Sequence, residues 1–211
     1  MARAVGLREL KKIQTRKAIS EAAIALFVER GFDNVSVADV AAAAQVSSMT
    51  VYNYFPAKED LVMHRLEDHY EEAAAVVRRR RDGERPLEAL RRHFLLALDA
   101  GDVLTGLNDD PGYLAFQRMV LSTPSLRLRP AEQSDRAQDS LTAALRETWD
   151  SPLADIAAAQ VIAVLQRLVV HNLTAMLAGE RAGARRPTAY AEAEQAFDLL
   201  AHGLVRTPLT N

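Results

Sequence analysis

Apolar positions recur along this chain at the helical period almost throughout. Between Leu7 and Gly31 there is no glycine or proline, and Ile19, Ala22, Ala23, Leu26 and Phe27 follow one another at the three-four spacing of an amphipathic helix. Gly31 stands where such a helix ends. Ser36, with Asp39 three residues on, reads as the capped start of a short second helix running to about Ala44. Val46 and Ser47 interrupt it. Ser47 can cap a third helix, which Pro56 closes because the residue before a proline avoids the α region. A fourth helix is expected from about Lys58 to the Arg78-Arg79-Arg80-Arg81 run. Beyond Gly83 the pattern predicts helices near 86–100, 110–122, 130–149, 153–178 and 188–205, punctuated by prolines at starts and loops. No segment alternates with period two, and no internal repeat is visible. The fold class is therefore all-α.

The segment 153–178 stands apart. Its only charged residues are Asp155 and Arg167, so it is apolar almost all round and must be covered on several sides. A second copy of the chain is the expected cover. No run of apolar residues approaches the length of a membrane span, and the N-terminus has no signal-peptide pattern. No membrane partner is expected.

Charge changes the picture at one end. The net charge of −2 conceals a basic arm: within residues 1–20, Arg3, Arg8, Lys11, Lys12, Arg16 and Lys17 face Glu9 alone, a net +5 that leaves −7 for the rest. That asymmetry suggests that one end meets a polyanion, although a solvated helix face explains it as well. The four arginines at 78–81 are better explained by the negative end of a helix macrodipole than by a phosphate contact. The absence of cysteine removes disulfides, thiolate metal sites and cysteine nucleophiles, and fits a cytoplasmic protein. His64 and His69 are five apart, off one helix face, so no metal is expected. No nucleophile elbow, phosphate loop or paired-carboxylate spacing appears, so neither a cofactor nor an enzyme is expected.

The stretch Ser47 to Phe55, SSMTVYNYF, sets aromatic bodies beside hydrogen-bonding tips. Val46, Val51 and Phe55 fall where a helix would pack on Val37, Val40 and Phe27. Ser48, Met49, Thr50, Tyr52, Asn53 and Tyr54 are left for another surface. Short helices joined by a tight turn, the second presenting such side chains, make a helix-turn-helix whose second member enters the DNA major groove.

Residues 12–66 resemble the DNA-binding domain of the tetracycline-repressor-like (TetR) family. The resemblance rests on Leu26-Phe27, Gly31-Phe32, Ser36-Val37, Ala41, Val46-Ser47, Thr50, Tyr52, Tyr54-Phe55, Lys58 and Leu61, all in order. Gln45 departs from it, standing where the family usually has the turn glycine, and Met49 is also unusual. The resemblance implies a helix-turn-helix DNA-binding domain at 8–57, a linking helix at 58–81, and a helical bundle at 82–206 for ligand binding and dimerisation. It implies that Ser48, Met49, Tyr52 and Asn53 approach bases, and that Ser36, Thr50, Tyr54 and Lys58 approach phosphates. Ser36 and Ser47 stand at helix N-termini, where free amides attract anions.

The implied function is a homodimeric, ligand-responsive transcriptional regulator, a repressor, with a double-stranded operator and a small-molecule effector as partners. A nonspecific DNA binder is the alternative, which the acidic body argues against. The run from Phe116 to Arg129, FQRMVLSTPSLRLR, resembles a subgroup with acyl-CoA-type ligands, so an acyl-CoA or another hydrophobic anion is the expected effector class. Polar and aromatic residues on apolar helices are the candidate lining: His93, Phe94, Phe116, Gln117, Met119, Trp149, Gln166, Arg167, His171 and Asn172. Core packing explains each of them singly. Gln166, Arg167, His171 and Asn172 together, within two turns of the most apolar helix, are the group expected to orient an anionic ligand through Arg167.

Overall fold

The computed structural model describes residues 6–67, 71–127 and 130–203. Among these residues every regular element is a helix and there is no strand. The contacts divide the chain into two units, Met1–Asp68 with Ala115–Arg129, and His69–Leu114 with Pro130–Asn211. The grouping is not the sequential one expected, because Ala115–Arg129 belongs with the N-terminal residues.

The first unit is built on α1 (Leu7–Arg30), α2 (Val37–Ala43), α3 (Ser48–Tyr54) and α4 (Asp60–Glu67). Gly31, at φ +86°, closes α1 and donates its N–H to Phe27 O at 2.9 Å. Ser36 and Asp39 form the reciprocal capping box: the Ser36 N–H donates to Asp39 Oδ2 at 2.8 Å, and the Asp39 N–H to Ser36 Oγ at 3.1 Å. The Ser36 hydroxyl also donates to Asp39 Oδ2, at 2.5 Å, and this bond foremost, with that from the Ser36 N–H, holds the Asp39 carboxyl below the usual carboxylate range. Ile19, Phe27, Val40, Val51, Phe55 and Leu61 are fully buried in one core. Ser20, also buried, ties α1 to α4 by donating to Leu61 O at 2.7 Å. Phe116, Met119 and Leu126 complete this core, on the C-terminal part of α7 (Pro111–Ser122) and on α8 (Pro124–Arg127).

The second unit contains α5 (Glu72–Arg78), α6 (Pro86–Ala100), a 3-10 turn at Val103–Thr105, α9 (Pro130–Arg146), α10 (Ala154–Leu177) and α11 (Ala182–His202). Of the linking helix expected over 58–81, α4 and α5 are described; residues 68–70, His69 among them, lie outside the described residues. Arg80 serves the C-terminus of α5, as the dipole reading requires, donating Nη1 to Val77 O at 2.6 Å. Arg78 pairs with Glu147 at 2.7 Å.

α11 begins at Ala182, six residues before the expected start, and carries Pro187 inside it. The cause is distant in sequence: Asp109 Oδ2 accepts the Ala182 N–H at 2.9 Å, capping the helix from a loop 73 residues away. α10 is, by length and composition, apolar enough to cross a membrane, contrary to the reading of its sequence. Here it packs against α9 and α11, with Ala158, Leu168, Asn172 and Met176 buried.

Candidate nucleic-acid interface

α3 has a buried side and an exposed side. Val51 and, at the C-cap, Phe55 are fully buried. Opposite them Met49 is 70% exposed and Tyr52 51% exposed, with Asn53 exposed beside them. Ser48, Thr50 and Tyr54 are half-buried. The predicted reading surface is thus brought together on one short helix whose other face is fixed in the core. Ser47 Oγ accepts the Thr50 N–H at 3.1 Å and lies 2.8 Å from Thr50 Oγ1, which sets the start of the helix. Arg16, on α1, lies over the Phe55 ring at 5.3 Å from its centroid. Arg8, Lys11, Lys12 and Lys17 are exposed along the first half of α1, and Lys17 lies 3.8 Å from the exposed Glu21. Arg3 of the basic arm lies outside the described residues.

The turn between α2 and α3 carries the strain that its sequence suggests. Gln45 has φ +55°, and among the described residues it is the one non-glycine residue with positive φ. Its N–H donates to Ala42 O at 3.2 Å, and the next N–H, of Val46, to Ala41 O at 2.9 Å.

Lys58 is not where the sequence reading put it. Its ammonium donates to Phe32 O at 2.5 Å and lies 4.4 Å and 5.5 Å from the Phe32 and Phe27 ring centroids. A phosphate-facing lysine was expected; this one clamps the end of α1 to the approach to α4. The two rings it meets are themselves paired, 4.9 Å between centroids.

Residues 19–64 match the family model described as "Bacterial regulatory proteins, tetR family". The chain carries a TetR-family DNA-binding domain. Two transcriptional regulators and one solved structure are also similar to the chain. The chain is 28% identical over 138 residues to the HTH-type transcriptional regulator TcmR of Streptomyces glaucescens, covering 64% of this chain and 61% of TcmR, so the match spans less than two thirds of that protein. It is 43% identical over 53 residues to the HTH-type transcriptional regulator LuxR of Vibrio harveyi, a quarter of each chain (25% and 26%). Among solved structures, NalD of Pseudomonas aeruginosa has the same fold, with a TM-score of 0.54 at 21% identity over 92% of this chain and 98% of that one.

The expected effector residues are divided between the two units. Phe116 and Met119 are buried in the core of the first unit, with Gln117 half-buried between them. Trp149 is 45% exposed in the α9–α10 loop. Gln166, Arg167 and His171 lie on the exposed side of α10, and His171 Nδ1 is 3.7 Å from Glu192 Oε2. Arg167 is therefore not the buried cation the sequence suggested. His93, Phe94 and Asn172 belong to the second unit. His93 Nε2 bonds Glu72 Oε1 at 2.8 Å, and that bond raises the imidazole pKa above its ordinary value against the opposing effect of burial. Phe94 is buried at 6.4 Å from the Phe197 ring. Asn172, 2% exposed, donates Nδ2 to Thr105 O at 2.9 Å, and its Oδ1 is buried without a hydrogen-bond donor among the described residues.

Proposed function

We propose that the protein is a homodimeric transcriptional repressor that binds an inverted-repeat operator through α3 and releases it on binding a small apolar effector. The observation that carries this is the two-sided α3. Met49, Tyr52 and Asn53 face outward on a helix short enough to enter the major groove, while Val51 and Phe55 anchor it. The cations of α1 supply the sequence-independent attraction to phosphate. TcmR and LuxR are both named as HTH-type transcriptional regulators, and NalD as the secondary repressor of a multidrug efflux pump, which favours repression.

Dimerisation is supported by the outward side of α10 and its neighbour. Leu153, Ile156 and Val170 are 55%, 52% and 44% exposed, and Leu199 on α11 is 37% exposed. A stripe of this kind on the most apolar helix is what a self-complementary interface buries. The effector belongs to the second unit. Its anionic end was inferred from Arg167 and falls with that residue's exposure, so no charge is assigned to it. Asn172 Oδ1 is the buried acceptor available to orient it.

The test is binding of the purified protein to duplexes from its own promoter region, compared with Tyr52→Ala. The substitution is expected to weaken specific binding by about 1–3 kcal/mol without unfolding the domain. Operator binding by folded Tyr52→Ala equal to the parent's would overturn the placement of α3 in the groove.

A further inference from the structure

Gln45 is held in a conformation that favours glycine and for which its own side chain has no local use. Its φ of +55° costs an L-residue free energy that Asn or Asp can partly recover by bonding to nearby backbone and that Gln does not. The strain is not repaid inside the domain. Both backbone bonds of the turn are made by N–H groups, which glycine would supply equally well, and the Gln45 side chain is exposed with no hydrogen bond to any described residue. A residue kept in a strained conformation with an unused, exposed amide, two positions before the cap of the groove-facing helix, invites a functional reading.

We infer that the Gln45 side-chain amide is a DNA contact, donating to a phosphate oxygen beside the groove that α3 enters. This rests on the DNA-binding reading above. The chemistry fits the position: an amide N–H to a phosphate is a charge-assisted bond that fixes register without carrying sequence information. The turn stands ahead of α3, so it faces the rim of the groove rather than its floor.

The experiment compares Gln45→Gly, Gln45→Ala and the parent for thermal stability and for affinity to the operator and to an unrelated duplex of equal length. Gln45→Gly relieves the strain and removes the amide. It should melt no lower than the parent yet bind both duplexes about tenfold more weakly, as expected for one charge-assisted bond. Because a neutral amide displaces no counterion, the dependence of log affinity on log salt should keep its slope. Gln45→Ala should lose the same affinity and, keeping the strain, melt below Gln45→Gly. Affinity of Gln45→Gly equal to or above the parent's would overturn the inference, leaving a strained residue that is merely tolerated. A loss confined to the operator would overturn the phosphate assignment in favour of a base edge. A folded parent that binds neither duplex would overturn the DNA-binding reading itself, an outcome distinct from the other two.

Discussion

Lys58→Met isolates what the ammonium does for the DNA-binding unit. Methionine keeps most of the aliphatic stem against Phe27 and Phe32, and removes the charge that bonds Phe32 O at 2.5 Å and sits 4.4 Å from the Phe32 centroid. A hydrogen bond from a charged donor contributes about 1.5–3 kcal/mol. A partly desolvated cation over an aromatic face adds about 0.5–2 kcal/mol. Fixing a lysine side chain offsets up to about 2 kcal/mol of that. Among the described residues, Phe32 O would keep only the 3.5 Å contact from the Val35 N–H. The net expectation is a loss of about 2 kcal/mol, or roughly thirtyfold in the opening equilibrium. Native-state amide exchange is the readout, because it follows the opening of this unit at named amides. The Gly31 amide, which donates to Phe27 O, and the Val51 amide, which donates to Ser47 O, should exchange about thirtyfold faster in Lys58→Met, and by a smaller factor in Lys58→Arg. Unchanged exchange at both amides would refute the clamp. It would return Lys58 to the phosphate role that its sequence position suggests.

Two further outcomes follow from the second unit. Gly106 has φ +71°, and a Cβ there would lie 2.4 Å from Val169 O in α10, so Gly106→Ala should destabilise that unit by about 2–4 kcal/mol, measured by urea denaturation followed at Trp149. The His93 pKa is raised by Glu72, so the pair stabilises the fold below the ordinary histidine pKa and ceases to do so as pH rises through the raised value. His93→Gln should therefore lower the melting temperature near pH 5.5 and leave it unchanged near pH 9. The size is a few tenths of a kcal/mol, because the ring is 44% exposed.

The DNA-binding unit was legible because its signals are local. Ser36 with Asp39, Ser47, Gly31, and Pro56 after Phe55 each decide a helix boundary within four residues, and each appears as read. The second half was less legible because its decisive partners are far apart in sequence. Nothing near Ala182 announces that Asp109 will cap it, and nothing near Phe116 says which of two cores will take its ring. The polar group on α10 was misread for a different reason. Leu168, Asn172 and Met176 repeat every four residues and share the buried side, whereas Gln166, Arg167 and His171 share another, so closeness in sequence was taken for closeness in space. Lys58 shows the converse, a family position whose side chain here turns inward to two aromatic rings.

The most direct test of the account is in vitro selection of duplexes by the full chain from fragmented genomic DNA of its source, run in parallel with Tyr52→Ala. Enrichment of one inverted repeat bound by two chains is expected, with half-sites about one helical turn apart, roughly 34–36 Å, and with loss of that enrichment in Tyr52→Ala. Recovery of an unpatterned pool by the folded parent, or of the same repeat by both proteins, would contradict it.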